Sequence, residues 1–240
     1  MKLNRRNKPT IGIIGRGNFA QLLKKILKPY ARSINLIGRD SSESERLKVF
    51  TSDIVILSVT FDKYKDIIGE LKKNLRPDSL LVDVCSVKVM PTKFLKKHLP
   101  DHKNLLLTHP LFGPQSAKKD TKGLRLIVTK SNGDSAKQLL EFCRTKLKLN
   151  IINMSAADHD KAMAYTHSLT FFVSQALHPF KLEGHGITTP SFKELLDLSN
   201  IAKNESKELL LSIHNDNPYA KAVREKFSNQ VKELMKSINE

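Results

Sequence analysis

The sequence predicts an α/β fold followed by a smaller, all-helical domain, and three observations carry that prediction. Apolar, strand-length runs alternate with amphipathic helical segments up to residue 154. Paired glycines stand at the first strand-to-helix turn. After Met154 no strand signal remains, only helical runs.

The first strand is "TIGIIG" (10–15) and the first helix "FAQLLKKILKPYA" (19–31). "INLIG" (34–38) and "DIVILSV" (53–59) read as strands, and "FDKYKDIIGELKKNL" (61–75) as the helix after them. Strands continue at 79–86, 104–109, 124–130 and 149–154, with helical spacing at 89–99 and 134–147 between them. Apolar strands separated by helices imply βαβ units and a sheet that is parallel in its first part, with both faces covered. The stretch from Arg39 to the next strand is short, so the usual second helix and third strand are expected to be cut down or missing. The division is placed as 1–154 and 155–240. The second part, some 86 residues, is small for a rich core of its own, which points to packing on its neighbour or on a second copy, a homodimer.

Composition excludes several classes. No apolar run among the 240 residues reaches the ~20 needed to span a bilayer. The basic start "MKLNRRNKP" lacks the apolar stretch of a secretory signal. Two cysteines make no disulfide framework, so a reducing cytoplasm is the expected location. The net charge of +17 invites a nucleic-acid reading. Its lysines, however, are spread over helices between apolar residues, as in "QLLKKILK" and "FLKKHL", which is how solvated helix faces look. Nucleic acid is therefore not expected as a partner, and no Cys/His spacing suggests a metal.

The turn "GIIGRGNFAQLL" sets Gly15, Gly17 and Ala20 in a G-x-G-x-x-A arrangement between strand and helix. Gly15 permits the tight turn, Gly17 lets the backbone approach a pyrophosphate, and Ala20 allows close helix–strand packing. The helix start adds free N–H groups and the positive dipole end. This context predicts a Rossmann-type dinucleotide-binding domain. At the end of the second strand an acid would bind the ribose 2′-hydroxyl and an arginine a 2′-phosphate. That acidic position is Gly38, followed by Arg39, with Ser41 nearby, which favours NADP over NAD. Asp40 takes the acid's part if the strand runs longer. The expected cofactor residues are Gly15, Arg16, Gly17, Asn18, Phe19, Arg39, Ser41 and Thr60.

Two further strand ends carry polar side chains. "VDVCSVK" (82–88) closes with Ser86 and Lys88, and "NLLLTHPLFGP" (104–114) brings His109 to a strand end before Pro110, which ends the strand because it lacks an N–H. Singly, Ser86 reads as a helix cap and His109 as a satisfied histidine. Together, the ordered set "GRGNFAQLL", "VDVCSVK", "LTHPLFGPQS" and "AADHDKAMAYTHSL" resembles the prephenate and arogenate dehydrogenases of tyrosine biosynthesis, from about residue 10 to 230. The resemblance implies NAD(P)-dependent oxidative decarboxylation of prephenate or arogenate. It implies His109 as catalytic base and Ser86 as the residue that orients it, with Gly113 at the substrate.

The sequence departs from that family at several substrate positions. Phe172 stands where the family commonly has a histidine; His167 either replaces it or is a core-facing polar residue. Lys193, in "PSFK", stands where an arginine would grip a carboxylate, and it cannot form the bidentate fork. Gln115 replaces an acid. Two rival readings stay open: a dehydrogenase of another small acid with Lys193 as base, and a cofactor-sensing or basic interaction protein without turnover.

Overall fold

In the computed structural model, residues 8–180, 182 and 186–239 are described; the basic start, residues 1–7, and part of the break after Phe180 lie outside them. The chain divides into two compact units, Met1–Ala156 and Ala157–Glu240.

In the first unit the strands are β1 (Thr10–Ile14), β2 (Ser33–Ile37), β3 (Ile54–Leu57), β4 (Leu80–Asp83), β5 (Leu105–Pro110), β6 (Arg125–Asn132) and β7 (Asn150–Asn153). They form a single sheet in the order β2-β1-β3-β4-β5-β6-β7. All neighbouring pairs are parallel except β5 with β6. The helices are α1 (Asn18–Leu27), α2 (Glu43–Phe50), α3 (Tyr64–Asn74), α4 (Val89–His98) and α5 (Asp134–Thr145). Because side chains alternate along a strand, residues of β1 feed both faces. Ile11 and Ile13 pack with Ala20, Leu27, Ala136 and Cys143 of α1 and α5, while Ile14 packs with Phe50, Tyr64 and Leu95 of α2, α3 and α4. Burial on both sides is why these strands read as continuous apolar runs.

The expected shortening after Arg39 takes a definite form. α2 is only eight residues long, held at its start by a capping box of Ser42 and Glu45. The chain then returns to the far side of β1, and no described strand lies outside β2. Strand order therefore reverses between β1 and β3, the switch point where open α/β sheets bind ligands beyond the carboxyl ends of the strands. Pro110 corrects the sequence reading: it is the last residue of β5, opposite Leu126, and Leu111 N–H still donates to the Arg125 carbonyl at 2.9 Å. A proline costs a strand nothing where its N–H would not face a partner, and β4 has already ended at Asp83.

The second unit is described by α6 (Ala156–Met163, beginning at the boundary), a π-helical turn (Ala164–Leu169), α7 (Thr170–Leu177), α8 (Pro190–Asn200), α9 (Lys207–Asn215) and α10 (Ala220–Asn239). Among the described residues no helix is long and apolar enough to cross a membrane.

Candidate active site

The turn after β1 is built as its glycines require. Gly15 has φ +123°, and a Cβ there would lie 2.2 Å from the Ser58 carbonyl oxygen, so no other residue fits without moving β3's end. Its N–H donates to the Ile37 carbonyl at 2.9 Å, and Ser58 N–H donates to that of Ile14 at 2.9 Å, so the turn is pinned between β2 and β3. Gly17 is the N-cap of α1, without a side-chain cap and with no acid in the first turn. A Cβ on Gly17 would meet nothing within 4 Å. A helix start without a side-chain cap, with open space beside Gly17, suits a pyrophosphate, and this is the fit of the residues present to a dinucleotide. Ala20 is fully buried under the helix. Asn18 is exposed, and Phe19 packs its ring 6.1 Å from that of Phe112.

At the end of β2, Arg16 crosses from the glycine turn. Its Nη1 donates to both carboxylate oxygens of Asp40 (2.8 and 2.9 Å) and its Nη2 to Ser41 Oγ (2.7 Å). Arg39 is exposed. Thr60 precedes a short 3₁₀ turn and donates its hydroxyl to Asp62 at 2.5 Å.

The ends of β4 and β5 are joined by a buried polar ring that the sequence reading did not resolve. Asp83 and Lys88 are both 0% exposed and form an ion pair. Lys88 Nζ also donates to the Thr108 carbonyl at 2.6 Å, and Thr108 Oγ1 returns a hydrogen bond to the Asp83 carbonyl at 2.9 Å. Tyr64 and the Cys85 N–H (2.9 Å) both donate to Asp83 Oδ1. Burial, and then the adjoining Asp83 carboxylate, push the Tyr64 phenol well above its ordinary range, so it stays a donor. The ring frames two residues of interest. Ser86 lies between Asp83 and Lys88 in the chain, and His109 follows Thr108. In the parallel register Asp83 faces Leu107, so Ser86 and His109 leave adjacent strands at the same edge. His109 is 6% exposed and Ser86 partly buried. "VDVCSVK" contains the signal for this ring, an acid and a lysine bracketing a strand end, but Tyr64 and Thr108 arrive only through folding.

Gly113 lies beyond β5 in a loop held by Ser116, whose Oγ accepts the Gly113 N–H at 2.9 Å. In the helical unit, Lys193 is exposed in the first turn of α8, which Thr189 caps through the Phe192 N–H at 3.1 Å. His167 lies in the π-helical turn against Phe171, with ring centroids 4.9 Å apart. Burial first, then the neighbouring His159 and His214, push its imidazole down to about 4. Phe172 meets the rings of His214 and Phe227, each at 6.3 Å. His214 is held by Ser168 Oγ and Gln175 Oε1, both at 3.0 Å. An imidazole thus stands beside Phe172, brought by α9 from a position that sequence spacing does not connect to it.

The sequence pattern of the family described as "Prephenate dehydrogenase, nucleotide-binding domain" matches residues 25–148, just over half of the chain and beginning after the glycine turn. Arogenate dehydrogenase 2, chloroplastic, of Arabidopsis thaliana is 28% identical over 88% of this chain and 64% of its own length. Arogenate dehydrogenase 1, chloroplastic, of the same plant is 31% identical over 86% of this chain and 36% of its own length. The chain therefore spans about two thirds of one curated relative and about a third of the other. Among solved structures, prephenate dehydrogenase from Aquifex aeolicus in complex with hydroxyphenyl propionate and NAD+ superposes with a TM-score of 0.67 at 20% identity, covering 95% of this chain and 90% of the other. Synechocystis arogenate dehydrogenase gives 0.62 at 18% identity, covering 96% and 92%. These likenesses do not favour a lysine-base dehydrogenase of another acid or a protein without turnover.

Proposed function

The chain belongs to the prephenate dehydrogenase family by its nucleotide-binding domain, and from that premise we propose that it oxidises and decarboxylates prephenate, or its amino analogue arogenate, with NADP as hydride acceptor. One observation carries the reading: the glycine turn after β1, Ser86 after β4 and His109 at the end of β5 open on one edge of the sheet, beside its switch point.

A nicotinamide dinucleotide held at that turn would supply the acceptor for the hydride that leaves the carbinol carbon of the substrate ring. As hydride leaves, the His109 imidazole takes the carbinol proton. The ring carbon becomes a carbonyl. The bond to the carboxylate then breaks, and its electron pair passes through the ring to the carbonyl oxygen, which regains a proton as a phenol while CO2 departs. Aromatisation drives this second half, so the protein's work is to position and deprotonate. Ser86 orients the imidazole. By their places in the family pattern, Lys193 would neutralise a substrate carboxylate as a point charge, and His167 and Gly113 are the other candidate substrate residues. NADP is favoured because Gly38 takes the position at the end of β2 where an acid would bind the ribose diol, while Arg39 and Ser41 follow it.

The helical unit supports a homodimer, since α10 carries an exposed apolar stripe of Val231, Leu234, Met235 and Ile238 at i, i+3, i+4, i+7 spacing.

The test is direct. The full chain is incubated with prephenate or arogenate and NADP+ or NAD+, following the absorbance of the reduced nicotinamide and the release of CO2. Equal amounts of both products with at least one ring substrate are expected, faster with NADP+. No reduced cofactor in any of the four combinations would refute the reading.

A further inference from the structure

Arg16 occupies the x position of the G-x-G turn, yet its guanidinium reaches the end of the neighbouring strand. There it meets Asp40 through both carboxylate oxygens and Ser41 through its hydroxyl oxygen. Ser41 Oγ also accepts the Gly38 N–H at 3.2 Å. Gly38 makes room for this crossing: a Cβ there would lie 3.1 Å from Arg16 Cδ and 3.0 Å from Asp40 Oδ1. A side-chain acid at the position that ordinarily binds a ribose diol would have to displace Arg16. Asp40 is a poor substitute for that acid, because both its oxygens are already engaged by the guanidinium.

We propose that Arg16 is the residue that selects a 2′-phosphorylated dinucleotide, and that Asp40 is its placeholder, holding the guanidinium at the end of β2 until a phosphate takes it over. The proposal rests on the reading that a nicotinamide dinucleotide binds at the Gly15–Gly17 turn. Four features support it. The Arg16 and Asp40 side chains are 40% and 78% exposed, and an ion pair so open to water contributes little, so exchanging it costs little. A phosphate monoester offers up to two charges and three acceptor oxygens where the carboxylate offers one charge and two, and arginine's planar fork suits it. The Gln21 side chain holds the Arg16 carbonyl at 3.3 Å, so the backbone can stay in place while the side chain changes partner. Arg16 also lines a groove with Lys24, Lys48 and Glu45, where the cations outnumber the acid and the field favours an anion. Arg39, one residue past Gly38, then adds long-range charge rather than the principal contact.

The experiment is calorimetric titration of the full chain with NADP+ and with NAD+, without substrate. The wild type should bind NADP+ more tightly. Arg16→Ala should weaken NADP+ by about ten- to a hundredfold and NAD+ by less than about threefold. Its loss for NADP+ should exceed that of Arg39→Ala, and Arg16→Lys should recover part of it. Asp40→Asn should tighten NADP+ severalfold, with a smaller gain when Arg16 is already alanine. Equal losses for both dinucleotides in Arg16→Ala would overturn the proposal by making Arg16 a pyrophosphate contact. Tighter NAD+ binding that Asp40→Asn abolishes would overturn it by making Asp40 the ribose ligand. If the wild type binds neither dinucleotide, the dinucleotide reading itself fails, and the inference with it.

Discussion

His109 sits at 6% exposure on the penultimate residue of β5, and Thr108 just before it is tied to Asp83 and Lys88. An imidazole so held has little freedom, which suits a base that must meet one proton in one geometry. Replacing it with Asn keeps much of its shape but removes the titrating nitrogen. For His109→Asn, kcat should fall by about 10²–10⁴ with cofactor affinity nearly unchanged, and the decline of kcat at low pH should vanish. A variant that keeps both its rate and its acid limb places the base elsewhere. The neighbouring pair makes a prediction about stability. Lys88→Met strands the Asp83 carboxylate in the interior with only neutral donors, which should cost about 3–5 kcal/mol in urea unfolding. Adding Asp83→Asn should return much of that loss. A single variant within about 1 kcal/mol of the wild type would contradict a buried pair.

Elements set what these residues can reach. The β1–α1 turn leaves helix N–H groups without a side-chain cap, free to exchange water for a bound anion. The helix from α6 to α7 contains a π-helical turn over Ala164–Leu169, the kind of bulge often found at functional sites. It holds His167 neutral with its pKa near 4, against an ordinary value of about 6.5. The unfolded chain then binds more protons than the folded one between those values. Stability is therefore full above about pH 6.5 and falls as pH drops toward 4, by about 3 kcal/mol at most from this group. Unfolding free energies measured at pH 7.5 and 4.5 should differ less in His167→Gln than in the wild type. An unchanged difference would mean that His167 titrates normally.

For the whole molecule, the two units differ in how they bury apolar surface. The sheet encloses two clusters, one on each face. The helical unit leaves Leu211, Leu234, Met235 and Ile238 among its exposed side chains. Sedimentation at micromolar concentration should show a dimer, and Leu234→Glu with Ile238→Glu should shift it to monomer while the fold persists. A wild type that stays monomeric at that concentration would leave the α10 stripe without this role.

What the sequence determined by itself is whatever depends on neighbours along the chain. The alternation of apolar strands and amphipathic helices, the Gly15–Gly17–Ala20 turn with its positive-φ glycine, and the short return from Arg39 to β3 follow from side-chain period, backbone sterics and segment length. So does the emergence of Ser86 and His109 at strand ends. Pro110 shows the limit of that logic: whether a missing N–H ends a strand depends on which neighbour it would have faced, and that is a property of the sheet. The tertiary structure alone decided that Arg16 crosses to Asp40 and Ser41, 24 and 25 positions away. It alone decided that Tyr64 and Thr108 close a polar ring around Asp83 and Lys88, and that His214 comes to stand beside Phe172. Such partners carry no periodic or local signal, because a hydrogen bond constrains two side chains in space and leaves the chain between them free.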